Sequence, residues 1–216
     1  MFTHFFALLI GLLGISSCTS GPPKELSHDI QVTEVLVGAK QQEEYSSEPP
    51  VLDGTWKSPL PERAGNGRYS IRELRFFGPN WEMKYTLADS KSMSKPLFTY
   101  KATGTYQLQN SSRRIPGAYL IIYRFQKKNL EILVQDKKIR KEFGFDSCQG
   151  ISSGENDIST HGCGLFPRIS ECQVDYDLIR QKENKLEIGD RYAEFTSCTE
   201  DKRPVAMGFT LEKEKE

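Results

Sequence analysis

The stretch WEMKYTL, Trp81–Leu87, and the longer FTYKATGTYQL, Phe98–Leu108, share one pattern. Trp81, Met83, Tyr85 and Leu87 alternate with Glu82, Lys84 and Thr86. Phe98, Tyr100, Ala102, Gly104, Tyr106 and Leu108 then alternate with Thr99, Lys101, Thr103, Thr105 and Gln107. A period of two marks strands with one buried and one wet face. The pattern continues through Tyr119, Ile121, Tyr123 and Phe125, where Leu120 and Ile122 make the strand apolar on both faces. Further on, Val174, Tyr176 and Leu178 alternate with Asp175 and Asp177, two carboxylates expected to face water rather than to act as a catalytic pair. The last strand reads Val205, Met207, Phe209, Leu211.

Turn signals separate these runs: Gly78-Pro79-Asn80, Ile115-Pro116-Gly117, Gly189-Asp190 and Arg203-Pro204. Helical periodicity is confined to Asp136–Phe143, DKKIRKEF. The expected fold is therefore all-β: an antiparallel barrel of about 8–10 strands, lipocalin-like in appearance, with at most one short helix. A sandwich is the competing architecture. Gly104, inside a long strand, favours the barrel because such a glycine often marks a corner. Met83, Tyr85, Phe98, Tyr100, Tyr106, Tyr119, Tyr123, Phe125, Met207 and Phe209 would point inward. Taken alone, such a set describes a filled core.

The N-terminus reads MFTHFFALLIGLLGISSCTS. The apolar run Phe5–Ile15 is too short to span a bilayer and suits the h-region of a signal peptide. Ile15-Ser16-Ser17-Cys18 is similar to a bacterial lipobox, although the leading MFTH lacks the usual Lys or Arg. The expectation is cleavage before Cys18, acylation of that cysteine, and anchoring to the cell envelope by several acyl chains. Thr19, rather than Asp, after the cysteine favours the outer membrane if the source is Gram-negative. Residues 1–18 are thus signal peptide and lipidated cysteine, and residues 19–50 a polar spacer too poor in apolar residues to fold alone. Within it, Ile30–Val37 has the composition of an edge strand. The barrel domain occupies 51–213, and 214–216 is a charged tail.

Twenty-nine Lys and Arg balance 29 Asp and Glu along the chain. No basic stripe of the kind nucleic acid requires is present in the sequence. Of five cysteines, Cys18 takes lipid and Cys148, Cys163, Cys172 and Cys198 remain. Three pairings are possible; local order favours Cys148–Cys163 and Cys172–Cys198, each worth about 3 kcal/mol. The cysteines lack Cys-x-x-Cys spacing and have one neighbouring histidine, His161, which argues against zinc. No cofactor is expected. Gly150-Ile151-Ser152-Ser153-Gly154 matches the nucleophile-elbow pattern, but no helix pattern follows it, so a disulfide loop is the expected reading. Asn110-Ser111-Ser112 is a glycosylation sequon if the source is eukaryotic. No acid, base and nucleophile assemble, so an enzyme is not expected.

GTWKS from Gly54, RYSIRELRFF from Arg68 and KPLFTYKATGTY from Lys95 carry a further resemblance. Gly54, Trp56, Arg72, Phe76, Pro96, Ala102, Gly104 and Tyr106, with Asp157, Gly162, Cys163, Pro167 and Tyr176, fall where the adenomatosis polyposis coli down-regulated protein family carries its motifs. The sequence resembles a single copy of that domain over about Val51–Lys213. Two cysteines of the family are replaced near Pro61 and Met93, and a tryptophan often found between the later cysteines is absent from Gly150–Ser153. The resemblance places Cys148 as the partner of Cys163. It implies a barrel with an apolar cavity and, in the animal proteins, binding of lipid-modified Wnt proteins.

The expectation that transfers is binding of a fatty-acyl ligand or lipid-modified protein, with the ten inward residues as its contacts and tyrosine hydroxyls near its head. A chain of about 14 methylenes fully buried would contribute roughly 11 kcal/mol gross. Trp56 is expected to close the barrel floor under a stacked arginine. The rivals are a filled-core barrel acting as a protein-interaction subunit of the envelope, and a lipocalin-like carrier of separate ancestry.

Overall fold

The computed structural model describes residues 48–191 and 196–215. The signal peptide, Cys18, the Ile30–Val37 patch and most of the spacer lie outside the described residues. Ten strands follow in order: β1 (Gly54–Lys57), β2 (Glu62–Arg63), β3 (Tyr69–Phe77), β4 (Asn80–Ala88), β5 (Pro96–Ser111), β6 (Tyr119–Ile132), β7 (Glu155–Asp157), β8 (Val174–Lys182), β9 (Lys185–Gly189) and β10 (Met207–Lys213). The helix α1 (Lys137–Glu142) starts at Asp136, whose carboxylate accepts from the N–H groups of Lys138 and Ile139, a standard N-cap.

Every pairing is antiparallel, and the sheet runs β1-β10-β9-β8-β6-β5-β4-β3. β3 then pairs back onto β1, Leu74 opposite Trp56, and closes an eight-stranded barrel. β2 and β7 are short additions to β3 and β6. Closure removes the exposed edges that would otherwise invite association.

The period-two pattern holds through β4 and the first part of β5, where Met83 faces Ala102 and Tyr85 faces Tyr100. It breaks in β6. Thr103 pairs with Lys127 and Gly104 with Phe125, so Gln126 is an extra residue, a β-bulge. A one-residue insertion moves every later side chain to the opposite face. Before it the odd residues Ile121, Tyr123 and Phe125 point inward; after it Lys128, Leu130 and Ile132 do. Gly104 is what permits the bulge. A Cβ there would sit 1.8 Å from the Arg124 carbonyl oxygen and 3.2 Å from the Gln126 nitrogen. Gly104→Ala should therefore cost about 1–3 kcal/mol by overpacking, read as a lower urea midpoint at unchanged slope.

One end of the barrel, where Leu87, Phe98 and Ile132 lie side by side, is plugged by the segment after β6. Phe143, Phe145 and Phe166 place their rings 5.2, 5.4 and 5.6 Å from Phe98, all edge-on, and Tyr100 stacks on Phe166 at 4.3 Å. The Cys148–Cys163 disulfide holds this plug. The second disulfide joins Cys172 to Cys198. Both pairings are those that local order favours.

Three expectations are corrected. Asp175 and Asp177 do not face water: opposite Tyr123 and Ile121 of β6, they point into the barrel with Ile179. Leu178 and Tyr176 lie on the outer face with Leu120 and Ile122. That face is covered, because Arg203 stacks on Tyr176 and donates to the carbonyls of Ile121 and Asp177. An apolar outer patch made Val174, Tyr176 and Leu178 look like a core face. Second, Val205 is exposed and precedes β10, and a register shift between Met207 and Thr210 ends the alternation there. Third, Trp56 is fully buried, but the cation over its ring is Lys213, not an arginine. The indole N–H donates to the Leu52 carbonyl at 2.7 Å.

Candidate ligand-binding site

The barrel interior is not completely filled. A cavity of about 160 Å³ lies between β3, β4, β5, β6, β8, β9 and β10. Its apolar wall comes from Leu74, Trp81, Met83, Tyr85, Tyr100, Tyr123, Phe125, Phe166, Ile188 and Phe209. Six of the ten residues expected to contact a ligand are among them: Met83, Tyr85, Tyr100, Tyr123, Phe125 and Phe209. The other four are elsewhere. Phe98 is sealed within the aromatic plug, and Tyr119 is buried outside the cavity lining. Tyr106 packs edge-on against Phe76 at 5.1 Å, outside the lining. Met207 precedes the register shift in β10 and falls outside the lining.

The volume is modest. An apolar cavity of about 150 Å³ takes a benzene ring, whereas sites for larger ligands span roughly 300–1,000 Å³. A chain of about 14 methylenes therefore does not fit wholly inside, which corrects the burial expected from sequence. A body of about six carbons fits, and a longer chain would extend through the half-exposed rim at Arg63, Ala64 and Phe209.

The cavity also holds charge that the alternation pattern did not reveal. Arg191 pairs with Asp175 and, at 2.7 Å, with Asp177. Asp177 is 3% exposed and accepts further bonds from the N–H groups of Leu178 and Gly189. Burial raises its carboxyl, against the opposing pull of Arg191. Gly189 makes room for it, since a Cβ would lie 2.3 Å from the carboxylate oxygen. Arg72 of β3 pairs with Glu62 at 3.0 Å and lies 3.8 Å over the Phe209 ring.

Lys128 is the third interior cation, turned inward by the bulge at Gln126 and 2% exposed. Its ammonium donates to the carbonyls of Pro167 at 2.9 Å and Cys172 at 3.4 Å, and sits 4.1 Å over the Phe125 ring. Among the described residues no carboxylate comes within ion-pair distance of it. Burial pushes its pKa down to about 8, opposed by the more distant Asp175. A group whose pKa is lower folded than unfolded binds fewer protons in the native state. Stability from Lys128 therefore rises with pH between about 8 and 10.5. Lys128→Met should remove that rise, measured as the unfolding free energy at pH 7.5 and pH 10.

Two aromatic residues of the lining carry a polar atom without a partner. The Trp81 indole N–H and the Tyr123 hydroxyl are buried and make no hydrogen bond among the described residues. Such groups are uncommon in native interiors and point to water or a ligand atom. The Gly150–Gly154 pentapeptide lies apart from the cavity, and the Ser152 hydroxyl bonds to Asn156 rather than to a base.

No protein-family model matches the chain, and a search of curated proteins finds no significant match.

Proposed function

We propose that this protein is a lipid-anchored envelope protein, tethered through Cys18, whose barrel binds an acyl group in its interior cavity. The acyl group belongs either to a free fatty acid or to a lipid-modified partner, the rest of which stays outside the rim. The observation that carries this reading is a closed barrel with an unfilled, aromatic-walled interior. Lipid binding by the family the sequence resembles points the same way. Binding, rather than catalysis, suits a lining in which Arg191 and Arg72 are held by interior ion pairs.

A chain-length series tests it. Saturated fatty acids from butanoate to hexadecanoate are titrated calorimetrically into the full chain carrying Cys18→Ser, which cannot acquire acyl chains of its own. Affinity should rise by roughly threefold to fourfold per methylene up to about six carbons, from about 0.8 kcal/mol each, and then flatten as the chain leaves the cavity. Absence of binding at every length contradicts the reading and turns attention to the outer surface and a protein partner.

A further inference from the structure

We infer that the cavity, read as an acyl site, takes its ligand head first: a carboxylate enters to Lys128, and the apolar body lies toward the rim. This rests on the acyl-binding reading and names the ligand's head group and direction.

Of the interior cations, Arg191 is matched by Asp175 and Asp177, and Arg72 by Glu62. Lys128 alone among these three has no carboxylate within ion-pair distance among the described residues. It does have two carbonyl acceptors and an aromatic face, which hold the ammonium in place without neutralising it. A buried charge without a counter-ion is costly, and an incoming anion relieves that cost.

A second observation is independent of the charge. Trp81 and Tyr123, which line the same cavity, each carry a buried donor, the indole N–H and the hydroxyl, without a partner among the described residues. Lys128 sits over Phe125, Phe125 is 5.6 Å from Trp81, and Trp81 is 4.7 Å from Tyr123, so the residues that carry the three donors form one continuous row. Three donors and one uncompensated positive charge match the acceptor-only chemistry of a carboxylate. They do not match an alcohol, which brings no negative charge, or an ammonium, which would be repelled. The less buried lining, Ala64 and Phe209 with the exposed Arg63, leaves the body of the ligand toward solvent. An ester-linked acyl group on a partner would have to enter tail first, so head-first entry selects the free acid over the lipid-modified protein.

Hexanoate and octanoate are compared with 1-hexanol, 1-octanol and methyl octanoate by calorimetry on the full chain carrying Cys18→Ser at pH 7. The acids should bind at least about tenfold more tightly than the neutral compounds, the usual advantage of charge-assisted hydrogen bonds. Acid affinity should fall as pH rises above about 8, where the unliganded Lys128 loses its proton. Lys128→Met should erase the difference between acid and alcohol. Equal binding of acid, ester and alcohol by the unaltered cavity overturns the head-first inference and leaves acyl binding standing. Binding of none of them overturns both. The acid-to-alcohol comparison needs no substitution at Lys128, so it decides the matter even if that variant fails to fold.

Discussion

Arg191→Met should lower the unfolding free energy at pH 7 by about 3–5 kcal/mol, and most of that loss should disappear as the pH falls toward about 4. The substitution preserves much of the side-chain volume and removes the cation shared by Asp175 and Asp177. What remains is two carboxylates on one strand, Asp177 being almost fully buried. Burial already raises the Asp177 carboxyl with arginine present, and removing the arginine raises it further. A carboxyl whose pKa is higher folded than unfolded binds more protons in the native state. Its contribution is therefore present at low pH and lost as pH rises through the folded value. The variant's deficit is accordingly largest at neutral pH. Urea unfolding at pH 7 and pH 4.5, with the unaltered protein as control, reads the difference directly. A deficit of equal size at both values would mean that lost packing, not unpaired charge, explains the effect.

Trp56→Ala should cost a similar amount, about 3–5 kcal/mol, for a different reason. Trp56 is fully buried where β1 closes the barrel onto β3, opposite Leu74. Its truncation removes a large apolar volume at the closing seam and leaves the Leu52 carbonyl without the indole donor. The ring also carries Lys213, whose ammonium lies 5.3 Å from it, so the β1–β10 side of the seam loosens as well. Trp56→Phe keeps most of the ring and loses the hydrogen bond, and should cost nearer 1–2 kcal/mol. Thermal melts of both variants check the order. Because Trp56 lies outside the cavity lining, acid binding well below the melting temperature should be unchanged.

The barrel was legible because β4 and β5 are wet on one face, so their alternation reports burial directly. Gly104 signalled a corner, and the structure gives that corner its atomic content: a bulge opposite, with no space for a Cβ. The same bulge hid the chemistry. A sequence read with unbroken alternation ends the inward series of β6 at Phe125. Nothing local marks Gln126 as the extra residue, so Lys128 passes for a surface lysine. β8 failed for the complementary reason. Its outer face is covered by the Arg203 segment and is as apolar as a core face, so period two identified the strand and not its direction. The inward carboxylates become intelligible only with Arg191, which lies beyond the β8–β9 hairpin in sequence and meets them only in the fold. Likewise, which inward aromatics line space and which fill it depends on Phe143, Phe145 and Phe166. Phe143 ends the short helical stretch, and Phe145 and Phe166 come from an irregular segment without periodicity.

The most direct test of acyl binding is native mass spectrometry of the full chain carrying Cys18→Ser, purified without detergent, with organic extraction of whatever it carries. The proposed function predicts one acyl ligand per chain, displaced by added octanoate, and the head-first reading predicts that it is a free carboxylic acid. An apo mass that stays unchanged after incubation with fatty acids would contradict the account at its centre.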